Sequence, residues 1–292
     1  MRNLKATLLE LIRCTSAELP DDVVQTIARY STQEQQGSNA QYAMSIIRQN
    51  IDMAKLKSAP LCQDTGSILF FVKAPKGFDQ LAFEKAASAA VAEATAKGYL
   101  RQNSVDSITG KNTGNNLGPG SPSLHFHQAR GMRLDVRLIL KGGGCENVGA
   151  QYSLPDTRLN ANRDLDGVRK AILDAVVQAQ GKGCGPGILG VCIGGDRATS
   201  YLHSKEQLLR TMDDVNPDSA LAALEKDIVA SANKLGIGPM GFGGATTLLG
   251  CKIGALNRLP ASFFVSISYM CWAYRRQGFV LDDSGKILKW LY

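Results

Sequence analysis

Residues 134–147 read LDVRLILKGGGCEN, a stretch in which a strand pattern runs directly into a glycine-rich loop. Apolar residues occupy every second position from Leu134 to Leu140, the period that predicts a β-strand. The run from Gly142 to Gly144 carries no side chains, so its backbone can approach a ligand closely. The stretch therefore predicts a strand that ends at a candidate binding site.

Helical periodicity lies on both sides of this strand in the sequence. Leu8, Leu11 and Ile12 share one face of a predicted helix, and Asp164 is predicted to cap another. The other predicted elements are helices ending near 57 and at 83–97, 204–211 and 217–235, and strands at 68–72, 188–193 and 263–269. Strands and helices mix without a regular βαβ rhythm. We therefore predict an α+β fold, a mixed β-sheet flanked by helices, in a single large domain over residues 1–292.

The composition and charge of the chain disfavour several classes of protein. The chain has 292 residues and a formal net charge of +7, yet no Lys/Arg run is longer than Arg275-Arg276. Such a spread of basic residues disfavours a nucleic-acid-binding surface. No stretch of eighteen apolar residues predicts a membrane span, and the N-terminus lacks the apolar stretch of a signal peptide. A cytoplasmic protein without nucleic-acid or membrane partners is expected.

The seven cysteines do not fit a disulfide framework, because their number is odd and no secretion signal precedes them. No pair is spaced as CxxC, which argues against a zinc finger, a ferredoxin-type run or a thioredoxin-like site. Three lie on predicted loops next to strands: Cys62, Cys184 and Cys271. Cys145, in the glycine loop, is ambiguous. The others lie in apolar or helical runs and are interpreted as structural: Cys14, Cys192 and Cys251.

Cysteines on strand-end loops can converge at one face of a sheet, and three thiolates suit a [4Fe–4S] cluster with one iron left open. An open iron is a Lewis acid that can take a substrate hydroxyl and carboxylate. On spacing alone, three buried thiols remain the alternative interpretation.

Anion-binding candidates lie beside these loops. Arg101, Arg275 and Arg276 could bind a carboxylate through a guanidinium fork, or lie on the surface. Asp64 could orient a water or a substrate hydroxyl, or form a local turn. Other catalytic classes fit poorly, since His125 and His127 lack an HExxH partner and the chain has no GxSxG, Walker A or plausible dinucleotide motif.

Five separated motifs occur in one order along the chain: LCQDTG (61–66), LRQNSV with TGKNTGNN (100–116), KGGGCEN (141–147), LGIGPMGFGG (235–244) and SYMCWAYRR (268–276). This series resembles the α subunit, or N-terminal domain, of class I (iron–sulfur) fumarases and L-tartrate dehydratases. The resemblance extends from about Asp21 to Gln277.

The resemblance implies a lyase, more narrowly a hydro-lyase such as fumarate hydratase or tartrate dehydratase, acting on a four-carbon dicarboxylate. It implies a metal-binding site, an oxygen-sensitive [4Fe–4S] cluster held by Cys62, Cys184 and Cys271. It further implies substrate contacts from these residues, with Asp64 also catalytic: Gln63, Asp64, Arg101 and the Gly144 backbone.

The resemblance also implies a partner. In the family the proposed base, a threonine, and further carboxylate-binding residues belong to a second domain or β subunit, and no matching segment follows in the sixteen residues after Arg276. A β subunit is therefore expected, in a heterotetramer of two α and two β chains with an α–α contact. Alone, the chain is expected to bind the cluster and turn over little substrate.

Three positions depart from the family pattern. Leu259 stands where relatives commonly carry a histidine, twelve residues before the last cluster cysteine, and Asn115 stands where an aspartate is usual. The Gly-Cys-Gly-Pro context of Cys184 differs from the Cys-Pro-Pro of some relatives. Fumarate hydration is the leading interpretation, with L-tartrate dehydration and mesaconate hydration as alternatives. A non-catalytic iron–sulfur sensor or scaffold, and a basic nucleic-acid binder, are alternatives of other classes.

Overall fold

The computed structural model describes residues 3–282 and 284–292, and these form eight α-helices and nine β-strands. The helices are α1 (Leu4–Ala17), α2 (Asp21–Ser31), α3 (Asn39–Lys57), α4 (Gln80–Ala96), α5 (Gly143–Asn147), α6 (Leu165–Ala179), α7 (Arg197–Gln207) and α8 (Ser219–Asn233). The strands are β1 (Ser67–Ala74), β2 (Ser123–Gln128), β3 (Leu134–Lys141), β4 (Ala150–Ser153), β5 (Gly187–Ile193), β6 (Leu248–Ala255), β7 (Phe264–Met270), β8 (Arg276–Leu281) and β9 (Ile287–Trp290).

The predicted α+β class, with mixed sheets flanked by helices in a single domain, is confirmed, although the strands form two sheets rather than one. The chain divides into two compact units. The first comprises the described residues of Met1–Asp21, Gln49–Gly143 and Ala273–Tyr292, and the second comprises Asp22–Arg48 and Gly144–Trp272. The domain bounds 1–292 stay a prediction, and Met1, Arg2 and Asp283 lie outside the described residues.

The first unit contains a five-stranded sheet in the order β2-β1-β3-β8-β9. The β1 and β2 strands pair in parallel, and the other neighbours pair antiparallel. Helices α1 and α4 cover one face, because Leu8, Leu11 and Ile12 point the apolar stripe of α1 into the same core as Phe70 and Phe83. The predicted shared face of the first helix is thus confirmed.

The second unit contains a four-stranded sheet in the order β4-β7-β5-β6, in which β5 and β6 are parallel. Helices α6 and α8 bury the side chains of one face of this sheet. Helix α7 covers the other face at close range, since a Cβ on Gly190 would collide with the Ser204 carbonyl. Asp164 caps α6 as predicted, its carboxylate accepting the Gly167 N–H at 2.7 Å.

Three local predictions differ from the structure. The glycine run after β3 was predicted as a loop, but Gly143–Asn147 forms the single helical turn α5. The helix predicted at 204–211 begins at Arg197, because Asp196 caps it there by accepting the N–H groups of Ala198 and Thr199. Strands β2, β4, β6, β8 and β9 were not among the predicted strands. In the part of the chain that the structure describes, no helix combines the length and apolar character needed to cross a bilayer.

Candidate functional site

Cys62 lies on the loop that connects α3 to β1 in the first unit. The loop is anchored before the cysteine, since the Leu61 N–H donates to the Ser16 carbonyl at 2.9 Å and the Leu61 carbonyl accepts from Asn50 at 3.0 Å. After the cysteine, the Asp64 N–H points at the Cys62 Sγ at 3.4 Å. A backbone N–H aimed at a cysteine sulfur stabilises its thiolate, the form that binds metal.

The Asp64 carboxylate closes this loop. Its Oδ1 accepts the Gly66 N–H at 2.8 Å, and its Oδ2 accepts the Gly143 N–H at 2.6 Å. Asp64 therefore holds a local turn, which is one of the two roles expected for it. Two backbone N–H groups leave lone pairs on the carboxylate for a further donor, since an ionised carboxylate offers about four acceptor positions.

Gly66 lets the Cys62 loop lie directly against the end of β3. Its φ is +77°, and a Cβ at this position would collide with the carbonyl group of Lys141. Only glycine combines this backbone conformation with so close an approach. The Cys62 loop and the glycine run after β3 are consequently fixed to each other within the first unit.

Arg101 lies beside the same loop because Thr65 binds its backbone. The Thr65 Oγ1 accepts the Arg101 N–H and donates to the Arg101 carbonyl, each at 2.8 Å. The Thr65 N–H donates to the Asn103 side chain at 3.0 Å. The guanidinium end of Arg101 is exposed, so it is available to an anion from solvent.

Asn116 organises the polar segment of residues 101–123. Its side chain is 2% exposed, and its amide makes four hydrogen bonds. The Oδ1 accepts the N–H groups of Asn103 and Ser104, and the Nδ2 donates to the Thr95 hydroxyl and to the Arg101 carbonyl at 2.7 Å. A segment with almost no apolar residues is thus held by a buried amide instead of by a hydrophobic core.

A cavity of about 340 Å³ opens beside Asp64 in the first unit. Its polar lining comes from the Cys62 loop, the polar segment and the glycine run after β3. The lining includes Asp64, Asn103, Ser104, Asn116, Ser121 and Gly143.

Arg275 supplies a buried positive charge to this region. Its side chain is 1% exposed, and its Nη1 donates to the Asp64 carbonyl at 2.7 Å. The Nε and Nη2 groups are also buried, and no hydrogen-bond acceptor in the described residues reaches them. Arg275 therefore fixes the backbone of the Cys62 loop through Nη1, with two of its other donors closed to solvent.

Cys184 and Cys271 lie in the second unit, on neighbouring loops. The Trp272 N–H, next to Cys271, donates to the Cys184 carbonyl at 3.4 Å. Cys271 is buried at the end of β7, whereas Cys184 is exposed before β5. Cys184 has a φ of +53°, a left-handed conformation that costs a non-glycine residue about 1–2 kcal/mol. Strain of this kind is common at binding sites.

Tyr269 is the buried side chain around which these cysteines gather. Burial raises its pKa above the ordinary value, and negative charge on Cys271, Cys145 and Cys184 raises the pKa further. The Cys184 loop wraps the ring closely, since a Cβ on Gly183 would collide with the ring atoms. Tyr269 therefore shapes the loop that presents Cys184.

Gly144 lies beside this loop in α5. A Cβ on Gly144 would make an ordinary contact, 3.7 Å, with the Lys182 carbonyl. The helix is held in place by Glu146, which pairs with Lys205 of α7 at 2.7 Å. The exposed Gly144 backbone is thus presented from a fixed turn.

The three cysteines interpreted as structural are poor thiolates. Burial and a hydrogen bond to Glu10 raise the pKa of Cys14 to about 12. Burial raises the pKa of Cys192 to about 11, and it raises that of the fully buried Cys251 further. Burial is the largest cause of each shift, and it agrees with a packing role for these cysteines.

The predicted site residues therefore form two groups. The first unit brings together Cys62, Gln63, Asp64, Arg101 and Arg275, and the second brings together Gly144, Cys184 and Cys271. Within either unit, no three described His, Cys, Asp or Glu side chains are placed to hold a metal ion.

Sequence reasoning missed Thr65, Asn116 and Tyr269. Asn116 lies in a run of uniformly polar letters, so nothing in the sequence distinguishes it from Asn115, which is exposed. Tyr269 follows the alternation of β7, and only the glycines of the Cys184 loop hint that a large ring lies against them. Leu259, the departure from the family histidine, is 73% exposed on the second unit.

Comparison with known proteins gives a consistent result. Residues 5–280 match the family described as fumarate hydratase (Fumerase). The chain is 52% identical over its whole length to a Geobacillus stearothermophilus protein assigned as a fumarate hydratase class I, and it spans 58% of that protein.

Shorter relatives are matched almost end to end. The chain is 31% identical to a Methanocaldococcus jannaschii protein assigned as an L(+)-tartrate dehydratase subunit alpha, covering 92% of this chain and 94% of that one. It is also 31% identical to the L(+)-tartrate dehydratase subunit alpha of Escherichia coli K12, covering 89% and 85%.

Proposed function

The chain belongs to the fumarate hydratase (Fumerase) family, and we propose that it is the α subunit of a [4Fe–4S]-dependent hydro-lyase that hydrates fumarate reversibly to malate. The observation that carries this proposal is the family match over residues 5–280, which includes every predicted site residue. The 52% identity to a protein assigned as a fumarate hydratase class I favours fumarate as the substrate.

In this proposal, Cys62, Cys184 and Cys271 hold the cluster. The geometry supports the assignment, because the Asp64 N–H points at the Cys62 sulfur and the loops of Cys184 and Cys271 are hydrogen-bonded to each other. Cys14 lies within a helix and Cys192 and Cys251 lie within strands, away from the loops that carry the three proposed ligands. When bound, the cluster would supply an open iron as a Lewis acid for the substrate hydroxyl and carboxylate.

The chain's own residues would bind and orient the dicarboxylate. The exposed Arg101 guanidinium would pair with one carboxylate, and Gln63 and the Gly144 N–H would donate to substrate oxygens. Asp64, held by Gly66 and Gly143, would use its remaining lone pairs to orient the hydroxyl that is added or lost.

The base that removes the proton from the neighbouring carbon would come from a β subunit. Relatives named subunit alpha support a partner, and the Geobacillus relative is longer than this chain. We propose a heterotetramer of two α and two β chains with an α–α contact. The seven cysteines are free, which suits the reducing cytoplasm that we propose as its location.

An L-tartrate dehydratase α subunit is the second candidate. It is favoured by the near full-length match to two chains of that name, at 31% identity. Both reactions would use the same cluster and carboxylate contacts, so the β subunit would decide between them.

The test is anaerobic purification of the chain with and without its β subunit, followed by assays with fumarate, L-tartrate and mesaconate. We expect fumarate turnover by the complex and little by the α chain alone. Full activity of the α chain alone would refute the divided site. A cluster-containing complex that turns over none of the three compounds would instead favour a sensor or scaffold.

Two matched variants test which cysteines bind the cluster. Cys184→Ser should abolish the iron and sulfide content and the broad visible absorbance of the cluster. Cys192→Ser, which changes a thiol of raised pKa in the same unit, should retain both. Equal loss in the two variants would show that the ligand set is wrong.

A further inference from the structure

We propose that Glu34 is a positioning residue for Cys184, and that it acts through residues 235–247, here called the GFGG loop, which contain the LGIGPMGFGG motif. The inference rests on the proposed function, in which Cys184 holds the cluster. It assigns a role to a motif and to a buried carboxylate that the proposed ligand and substrate contacts do not use. All of these residues belong to the second unit.

The GFGG loop lies against the Cys184 loop on both sides of the cysteine. After the cysteine, the Gly185 carbonyl accepts the Met240 N–H at 3.0 Å. Before it, the backbones of Gly181 and Gly241 are in contact, since a Cβ on Gly181 would lie 2.9 Å from the Gly241 Cα. Residues without a side chain allow this close approach. The GFGG loop therefore constrains the backbone that presents Cys184.

The GFGG loop is also folded back on itself. The Gly243 N–H donates to the Ile237 carbonyl at 2.9 Å, and the Gly238 N–H donates to the Thr247 hydroxyl at 3.2 Å. Gly238 has a φ of +70°, and a Cβ there would collide with the Gly243 carbonyl. The last residues of the GFGG loop are thereby tied to the segment that contacts the Cys184 loop.

Glu34 fixes those last residues. Its side chain is buried in the connection between α2 and α3. The Oε2 accepts the Ala245 N–H and the Oε1 accepts the Thr246 N–H, each at 2.9 Å. Gly244 leaves room for the carboxylate, because a Cβ there would lie 2.6 Å from the Glu34 Oε2. Hydrogen bonds from backbone N–H groups to an ionised carboxylate are roughly twice as strong as neutral ones.

The carboxylate and the GFGG loop depend on each other. No Lys or Arg in the described part of the chain pairs with Glu34, so the two backbone N–H groups are its stabilising partners. A buried carboxylate is costly without such donors, and buried N–H groups are costly without an acceptor. Replacing Glu34 should therefore release the end of the GFGG loop instead of leaving it in place.

Two effects on the Cys184 loop follow from that release. The Met240 N–H and the amides of the Cys184 loop should exchange with solvent faster, because the loop that packs against them opens more often. Cys184, held at a φ of +53°, should also present its thiolate less rigidly. Cluster retention should then weaken, since outer partners that orient metal ligands typically contribute roughly 10–100-fold in affinity.

Glu225→Gln provides a matched control for Glu34→Gln. Glu225 and Glu34 lie in the same unit, and each is 7% exposed. Glu225 also accepts a backbone N–H, that of Ile253, at 2.7 Å. Its other hydrogen-bond partners, Arg210 and Asn216, lie outside the GFGG loop. The control therefore perturbs a buried carboxylate of this unit without perturbing the proposed route to Cys184.

The experiment compares the full-length wild type, Glu34→Ala, Glu34→Gln and Glu225→Gln. In the cluster-free chain, hydrogen–deuterium exchange is followed by mass spectrometry for residues 181–187 and 238–247. In the anaerobically reconstituted chain, the rate at which a chelator removes iron is measured. We expect Glu34→Ala to exchange roughly tenfold faster in both segments and to lose its cluster roughly tenfold faster. Glu34→Gln keeps one acceptor oxygen, so it should lie between Glu34→Ala and wild type. Glu225→Gln should match wild type in both segments and in cluster loss.

The two measurements separate this inference from the proposed function. A wild-type chain that binds no cluster refutes the proposed function, while exchange in the cluster-free chain still decides whether Glu34 holds the Cys184 loop. Unchanged exchange at 181–187 in Glu34→Ala overturns the inference, and so does faster exchange there with normal cluster retention. Equal effects in Glu225→Gln would reduce Glu34 to a general stabilising role and overturn it as well. Should Glu34→Ala fail to fold, wild-type exchange and retention in Glu34→Gln would overturn it.

Discussion

The Thr65 hydroxyl and the Arg101 backbone exchange two hydrogen bonds, each 2.8 Å long. The Thr65 Oγ1 atom thereby fixes the backbone N–H and the backbone carbonyl of Arg101, the residue proposed to bind a substrate carboxylate. Because Thr65 is also part of the Cys62 loop, the hydroxyl joins the proposed anion-binding arginine to the proposed cluster ligand within one unit.

Thr65→Val tests this link, since it keeps the shape and removes both hydrogen bonds. We expect KM for the dicarboxylate to rise roughly tenfold, equivalent to about 1.4 kcal/mol, with a smaller change in kcat. Thr15→Val is the control, because the buried Thr15 hydroxyl donates only to the Leu11 carbonyl of its own helix. Equal KM values in wild type and Thr65→Val would contradict the link.

Asn116→Asp should destabilise the first unit. The substitution keeps the acceptor oxygen but removes the donors to Thr95 and Arg101 and buries a charge. We expect a loss of about 1–3 kcal/mol in the free energy of unfolding, measured by urea denaturation. Asn115→Asp is the matched control, since its exposed side chain only accepts the Leu117 N–H and an aspartate can do the same. Comparable stability of the two variants would rule out the organising role of Asn116.

Gly183→Ala should distort the loop that carries Cys184. The new Cβ would collide with the Tyr269 ring, and overpacking of this kind typically costs about 1–3 kcal/mol. We expect a lower unfolding midpoint and reduced cluster content after reconstitution. Gly131→Ala is the control, because a Cβ there meets no atom within 4 Å. A Gly183→Ala protein with normal stability and iron content would argue against the contact.

Stability at alkaline pH should depend on Cys192. Burial raises its pKa from 9.0 to about 11, so in this range the unfolded thiol releases a proton that the folded thiol keeps. The contribution of the Cys192 thiol to the free energy of unfolding is complete below pH 9. It is lost as the pH rises toward about 11, at a limiting slope of about 1.4 kcal/mol per pH unit. Cys192→Ala should show a shallower decline of unfolding free energy over this window. Parallel curves for the two proteins would disprove the assignment.

Elements with regular apolar periodicity were predictable from the sequence. The stripe of Leu8, Leu11 and Ile12 and the Asp164 cap follow from local rules, and the structure contains both. The loop positions of Cys62 and Cys184 were predictable because glycine and proline mark those loops, and that of Cys271 was predictable because the alternation of β7 ends there.

Elements that bury charge were not predictable. Strand β6 contains Lys252, whose buried ammonium donates to Asp214 at 2.7 Å, so its sequence lacks the pattern of an inner strand. Strand β8 begins at Arg276, which is buried over the Tyr274 and Tyr292 rings at 4.4 and 4.5 Å. Asp214 and Tyr292 lie far along the chain from Lys252 and Arg276, so a local window does not contain these partners.

The hydrogen bond between the Arg275 guanidinium and the Asp64 carbonyl has a consequence for the biosynthesis of the protein. The two residues are 211 positions apart, a stretch that takes roughly 10–40 s to synthesise at about 5–20 residues per second. During translation the Cys62 loop is therefore synthesised long before the arginine that hydrogen-bonds to it. Loading of the proposed cluster is therefore expected only after Arg275 has been synthesised and the Cys62 loop has taken its folded shape.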